Sequence, residues 1–226
     1  MDLRESLNFS MHRIDIKSDA MKTLLKLTTS IFGENGASTQ LAGAFVTRWL
    51  ATHPGATIIE RDLAADPVPH LTGEAFAGFG AEPGAHSPTQ LAAVATSDAL
   101  IDELKRADVL VLGLPMYNFG IPSTLKAYFD YVGRAGLTFR YTEKGPEGLL
   151  KGMKAYVFAT RGGRYSSPAS ETETSYVRQF LSFLGIEDIE FVYAEGLGMG
   201  DESRTAALES AADAIAAFTA PSQRAA

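Results

Sequence analysis

Val109-Leu110-Val111-Leu112-Gly113-Leu114-Pro115-Met116-Tyr117-Asn118-Phe119-Gly120-Ile121-Pro122 begins as an unbroken apolar run and ends among aromatic residues. The run from Val109 to Leu114 is rich in Val and Leu and is closed by Pro115. A short run of this kind, bounded by Pro and Gly, reads as a strand buried on both faces, as in a parallel sheet. Met116, Tyr117 and Phe119 surround Asn118 where a polar loop is the default. Ligands of open parallel sheets bind just beyond the carboxyl ends of the strands. Two aromatic rings, a thioether and an amide there suit a flat aromatic ligand, with rings on its faces and an amide at its edge. The alternative is that these side chains turn into the core or form a subunit contact.

Working outward, Met21–Thr29 is apolar and β-branched enough for a first strand. Ser30-Ile31-Phe32-Gly33-Glu34-Asn35-Gly36-Ala37-Ser38 follows as a loop of small residues, and Leu41, Ala42, Phe45, Val46, Trp49 and Leu50 then recur at helical spacing. Ser38 or Thr39 is the expected helix cap. Strand, small-residue loop and helix start form the geometry in which backbone N–H groups hold a phosphate. Gly33 and Gly36 do not satisfy the dinucleotide fingerprint, and no Lys-Ser/Thr pair follows them as in a nucleotide P-loop. What remains are amides and the hydroxyls of Ser30, Ser38 and Thr39, which suit one phosphate group with no charge from the protein. The same residues also make an ordinary turn and cap.

Thr57–Arg61 reads as a second strand near an edge, and 62–88 as a long irregular segment, a lid or a subunit contact. A helix is expected from Thr89, with a break at Ser97-Asp98. Pro122 stands at a first helical position before the stripe Leu125, Tyr128, Phe129 and Val132. Residues 137–148 have hairpin or loop character. Met153–Thr160 is another buried strand, ending in Arg161-Gly162-Gly163-Arg164, where glycines permit close approach of a ligand edge or simply make a turn. A helix over Tyr176–Leu184, a strand over Ile189–Ala194 and a helix through Leu208–Phe218 complete the chain.

Five strands alternating with five helices predict an α/β, doubly wound, five-stranded parallel sheet of order 2-1-3-4-5. In that order the first, third and fourth strands are neighbours, and their loops line one switch point. A phosphate loop, an aromatic loop and a Gly-Gly loop side by side fit flavin mononucleotide (FMN).

The whole composition agrees with a single domain. The 226 residues are 46% hydrophobic and 21% charged, with a net charge of -7 and no cysteine. A disulfide framework and a thiol nucleophile are excluded, and the acidic balance disfavours nucleic acid as a general partner. No apolar run approaches the ~20 residues of a membrane span. Residues 1–20 mix charges with few apolars and lack a signal-peptide core; they read as a disordered extension, with 21–226 the domain. A cytoplasmic location is expected.

Ser30-Ile31 with its loop to Ser38, Pro115–Phe119, Phe139–Gly148 and Arg161-Gly162-Gly163 together resemble the FMN-dependent NADH:quinone oxidoreductases, also called azoreductases. The resemblance runs from Met21 to about Phe218. It implies a flavodoxin-like fold, a homodimer with FMN at the interface, and transfer from NADH or NADPH through FMN to quinones or azo compounds. By that resemblance Ser30, Gly36, Ala37 and Ser38 would surround the phosphate. Met116, Tyr117, Asn118 and Phe119 would flank the isoalloxazine, and Thr160, Arg161, Gly162 and Gly163 would meet its pyrimidine edge. Tyr141 lies in a segment similar to the family's substrate-side lid, and with Phe119 is a candidate stacking wall. The family often has Ser at the position of Thr160 and Ser-Gln-Ser where Gly36-Ala37-Ser38 stand, so backbone amides must hold more of the phosphate. The segment 72–88 departs from the family pattern.

Other chemistries are weaker. No G-x-S-x-G elbow is present. His12, His53, His70 and His86 lack metal-ligand spacing, so no metal site is expected. Arg161 and Arg164 read either as steering charges for an anionic cofactor or as ordinary surface charges. A flavin-binding electron carrier and a non-flavin domain on the same fold are the rival readings.

Overall fold

A computed structural model describes residues 21–82, 84–165 and 171–220. The expected extension over residues 1–20 lies outside the described residues. In chain order the elements are β1 (Thr23–Thr28), α1 (Ala37–Thr52), β2 (Thr57–Asp62), α2 (Gly73–Gly78), α3 (Pro88–Arg106) and β3 (Val109–Pro115). There follow α4 (Ser123–Val132), β4 (Phe139–Thr142), β5 (Gly145–Gly148), β6 (Lys154–Thr160), α5 (Glu173–Leu184), β7 (Asp188–Ala194) and α6 (Asp201–Phe218). A short 3-10 turn spans Gly33–Asn35.

The main sheet is five-stranded in the order β2-β1-β3-β6-β7, and every neighbouring pair is parallel. The numbering departs from the expected 2-1-3-4-5 because the antiparallel pair β4–β5 is inserted before β6. With that hairpin left out of the count, the order is the expected one. β3 lies at the centre, and Leu110, Val111, Leu112 and Leu114 are fully or almost fully buried. The physical reason is the two-residue period of a strand, which sends successive side chains to opposite faces. Leu110, Leu112 and Leu114 join Leu25, Leu27, Val157 and Ala159 under α3, α4 and α5. Val111 joins Leu24, Tyr156, Phe158 and Val192 under Phe45 and Trp49 of α1 and Ile215 of α6. A strand covered on both faces must therefore be apolar at every position, which is what made it visible.

Several boundaries differ from expectation. Pro115 does not stop β3 after Leu114 but is its last residue, in register with Thr160. The segment 62–88 is not wholly irregular: it holds α2, capped by the Thr72 side chain on the Ala75 amide at 3.1 Å. Six residues between turns were too few to show a helical period. α3 starts at Pro88, behind a reciprocal capping box between Ser87 and Gln90, and runs through Ser97-Asp98 without a break. Ser97 is tolerated inside the helix because its buried hydroxyl donates to the Tyr131 carbonyl at 2.6 Å. Pro122 is the N-cap of α4 rather than its first residue.

α1 rests on β3 with no side chain between them at Gly113. A Cβ on Gly113 would lie 3.1 Å from the Ser38 carbonyl oxygen and 3.3 Å from its carbon. These are backbone atoms of the first turn of α1, which cannot yield without moving the helix. Gly113→Ala is therefore expected to destabilise the protein by about 1–3 kcal/mol. Gly43→Ala is the contrast, since nothing lies within 4 Å of its Cβ position in the middle of α1. That change should stabilise by about 0.5–1 kcal/mol through helix propensity. Denaturant melts of the two variants read opposite signs if the contact is as described.

Candidate functional site

The carboxyl ends of β1, β3 and β6 are adjacent, so the three loops that follow them meet over one edge of the sheet. Backbone and side-chain bonds tie these ends together. Thr29 Oγ1 donates to the Gly113 carbonyl at 2.7 Å, and the Met116 amide donates to the Thr160 carbonyl at 3.0 Å. A cavity of about 300 Å³ opens between the loops. Ser30, Phe32, Asn35, Gly36 and Ala37 line one end, Pro115, Met116 and Tyr117 the middle, and Thr160, Arg161 and Gly162 another side. Leu197 and Arg204 close it from beyond β7.

At the first loop, α1 starts at Ala37, earlier than expected, and Gly36 is its N-cap. No side chain caps the helix, so the expected cap by Ser38 or Thr39 is incorrect. The first intrahelical bond is donated by Gln40 to the Gly36 carbonyl at 3.0 Å. The amides of Ala37, Ser38 and Thr39 stand ahead of it, an N-terminus open to an anion. Gly36 is required here, because a Cβ would fall 2.1 Å from Ser30 Oγ. Ser38 and Thr39 are buried, and their hydroxyls have no hydrogen-bond partner in the protein. A buried hydroxyl left unpaired is costly and calls for a partner from outside the protein, an ordered water or a bound group.

Tyr117 joins the first loop to the second. Its hydroxyl accepts from the Ile31 amide at 3.1 Å and lies 3.4 Å from Ser30 Oγ. Ser30 Oγ in turn accepts from the Phe32 amide at 3.2 Å. Tyr117 and Gly120 exchange backbone bonds of 3.0 and 3.1 Å around Asn118 and Phe119, whose φ values are 51° and 68°. Two successive left-handed residues make a tight turn of the mirror-image type, normally filled by Asn and Gly. Asn118 suits it; Phe119 does not, and strain of this kind is held where function needs it. Phe119 is 64% exposed and meets Tyr165 edge-on at 6.0 Å.

Arg161 follows β6 directly. It is not a surface charge, as it is only 3% exposed. Its guanidinium donates to Glu195 at 2.8 Å and to Thr174 Oγ1 at 2.7 Å, and pairs with Glu171 at 3.0 Å. Its Nε lies 3.5 Å from Glu173 Oε2, and its plane sits 5.2 Å from the centre of the Tyr193 ring. Its charge is thus met by the carboxylates of Glu171 and Glu195. Glu173 is itself buried, with neither carboxylate oxygen hydrogen-bonded. Burial pushes its pKa from 4.5 up to about 8, with repulsion from Glu171 adding and attraction to Arg161 opposing. Arg161 is held in place by its neighbours, while Gly162, with nothing within 4 Å of its Cβ position, leaves its backbone open to a ring edge.

Of the expected residues, Ser30, Gly36, Ala37, Met116, Tyr117, Thr160, Arg161 and Gly162 line the one cavity. Ser38 lies behind the helix start, and Asn118, Phe119 and Gly163 are not among the lining residues. Tyr141 is 76% exposed on β4, edge-on to Phe139, and does not line the cavity. Sequence reasoning missed Phe32, Asn35, Leu197 and Arg204. For Leu197 the signal was the glycine-rich run Glu195-Gly196-Leu197-Gly198-Met199-Gly200, a further strand-end loop. It is laced to the third loop by amides of Gly196, Leu197 and Gly198 donating to carbonyls of Gly163, Arg161 and Gly162 at 2.8, 3.1 and 2.9 Å.

Helix start, aromatic turn and bare glycine backbone at the switch point of a parallel sheet define a flavodoxin-like binding domain. Residues 21–218 match the model of Flavodoxin_2, described as flavodoxin-like fold, and the chain belongs to that family. It is 50% identical over 196 residues to an FMN-dependent NADH:quinone oxidoreductase of Alcanivorax borkumensis, covering 87% of this chain and 99% of that one. A solved azoreductase of Bacillus anthracis superposes with a TM-score of 0.77 at 32% identity, covering 88% of this chain and all of that one. An FMN-dependent NADH-azoreductase of the same organism, solved in complex with FMN, gives 0.78 at 26% identity with the same coverage.

Two outcomes are expected from this geometry. The folded state holds a proton on Glu173 that the unfolded chain releases above its ordinary pKa of 4.5. This residue's contribution therefore makes stability fall as pH rises from 4.5 to about 8, the cost being complete above that. Glu173→Gln removes the dependence, so the variant should exceed the parent by a few kcal/mol at pH ~9, at about 1.4 kcal/mol per pKa unit. The difference should vanish near pH ~5. Equal stability of the two proteins across that range, in urea melts, would contradict a buried titrating carboxyl. Separately, Phe119→Gly should raise stability by about 1 kcal/mol through relief of the left-handed strain. The same denaturant measurement reads it.

Proposed function

We propose that the chain is an FMN-dependent oxidoreductase that carries hydride from NADH or NADPH, by way of bound FMN, to quinones and aromatic azo compounds. One observation carries the reading: an uncapped helix N-terminus, an aromatic turn and an open glycine backbone line a single cavity. The cavity, about 300 Å³, is at the lower end of the usual size for cofactor clefts and stays open on one side. The close similarity to an FMN-dependent NADH:quinone oxidoreductase supports the same conclusion.

The residues present fit FMN. The free amides of the first turn of α1, beside the unpartnered hydroxyls of Ser38 and Thr39, match a terminal phosphate. Tyr117 sets the spacing between phosphate loop and aromatic turn through its bond to Ile31. Thr160, Arg161 and Gly162 would meet the pyrimidine edge, where backbone N–H groups favour negative charge. Asn118 and Phe119, in the left-handed turn next to the cavity-lining Met116 and Tyr117, would flank the ring.

When bound, the flavin supplies the hydride chemistry, so the protein's task is to bind, orient and tune it. No side chain is asked to act as nucleophile or general base, and product protons come from water. Donor and acceptor would stack in turn on the same open face, beside the exposed ring of Phe119; Tyr141, away from the cavity on β4, forms no wall of it within one chain.

We read the protein as a cytoplasmic homodimer. The apolar Ile31, Phe32 and Phe119 are each more than 60% exposed in loops at or beside the cavity, a surface that a second subunit would cover. Among the described residues no helix is long and apolar enough to cross a membrane.

The test uses full-length protein incubated with FMN and freed of excess. It should stay yellow, bleach with NADH, and consume NADH continuously only when a quinone is supplied. A yellow protein that never oxidises NADH would instead be an electron carrier, and a colourless one would overturn the flavin reading.

A further inference from the structure

The first turn of α6 brings a cation into the cavity that the three expected loops do not provide. Arg204 lines the cavity together with Ser30, Asn35, Gly36 and Ala37, the residues around the start of α1. We propose that Arg204 is the counter-charge for the phosphate of FMN, and that it makes the site selective for FMN over riboflavin. The proposal rests on the flavin reading above.

The argument is one of charge balance. A phosphate monoester carries about -1.5 to -2 near neutral pH. The start of α1 offers about half a positive charge, and hydroxyls offer none. Two arginines line the cavity, Arg161 and Arg204. Arg161 is already enclosed by Glu171, Glu173 and Glu195. Among the described residues Arg204 forms no ion pair, in a chain whose net charge is -7.

Its surroundings leave it the available group. Asp201 and Glu202 occupy the same turn and are exposed, where they complement the dipole of α6 itself. Arg164, one residue beyond Gly163, donates to Ser203 Oγ at 3.2 Å and does not line the cavity. The loop leading to Arg204 is fixed by the backbone bonds of Gly196, Leu197 and Gly198 to the loop after β6. Arg204 thus stands on a helix whose start is anchored to the cavity wall. A guanidinium presents donors in a fork that matches phosphate oxygens, which an isolated helix end does not.

The test compares flavin release from the full-length protein. The protein is loaded with FMN or with riboflavin and diluted, and recovery of free flavin fluorescence gives the dissociation constant. For Arg204→Gln, FMN retention should weaken about tenfold or more, the scale of a charged hydrogen bond. Riboflavin retention should stay unchanged, and Arg204→Lys should recover part of the loss. Raising NaCl from about 0.05 to 0.5 M should weaken FMN binding more in the parent than in Arg204→Gln. Circular dichroism checks that the exposed substitution leaves the fold intact. Equal retention of FMN by parent and Arg204→Gln, or equal weakening of FMN and riboflavin, would overturn the assignment and leave the flavin reading standing. A parent that binds neither flavin would overturn both.

Discussion

Close contact between the first turn of α1 and the middle of β3 sets the geometry of this protein. Gly113 has no side chain, so the Ser38 backbone lies directly over the strand. A helix brought this near to the sheet points its unbonded amides at the gap between the carboxyl ends of β1 and β3. Gly36 repeats the device at the helix start, where only a residue without a Cβ clears Ser30. The anion-receptive end of α1 is thus a consequence of packing as much as of loop composition.

From that contact the other parts of the site follow by bonding across the strand ends. Tyr117 reaches back to Ile31, Thr29 holds the Gly113 carbonyl, and the loops after β6 and β7 are laced together. The protein then spends stability in two places. One is the left-handed turn at Asn118 and Phe119; the other is the buried, unbonded carboxyl of Glu173 beside Arg161. Both flank the loops that form the cavity, which fits the general tendency of strain and displaced pKa values to gather at functional sites.

The fold was legible because both-face burial leaves strands such as β3 and β6 with no room for polar residues. The antiparallel pair β4–β5 was visible only as an alternation of aromatics. α2 escaped because GEAFAG is shorter than two helical turns. Ser97 misled because a polar residue in a helix reads as a break unless its partner, here the Tyr131 carbonyl, is known. The same kind of distant partner explains the site. Glu171, Glu173 and Glu195 approach Arg161 from the start of α5 and from the end of β7, so the sequence left open whether this arginine was a steering charge or a surface charge. Arg204 was hidden for the complementary reason. Nothing in the spacing of a helix tells which of its exposed residues faces another loop. Eight of the expected cofactor residues do line the cavity, because loops at strand ends are placed by topology once the strands are assigned.

The central claim is that these strand-end loops enclose one phosphorylated flavin. A crystal structure of the full-length protein grown with FMN tests it most directly. The account predicts density for the phosphate against the amides of Ala37, Ser38 and Thr39, and the ring between Tyr117 and the backbone of Thr160–Gly162. Density for FMN elsewhere, or a phosphate directed into solvent with the start of α1 uncontacted, would contradict it.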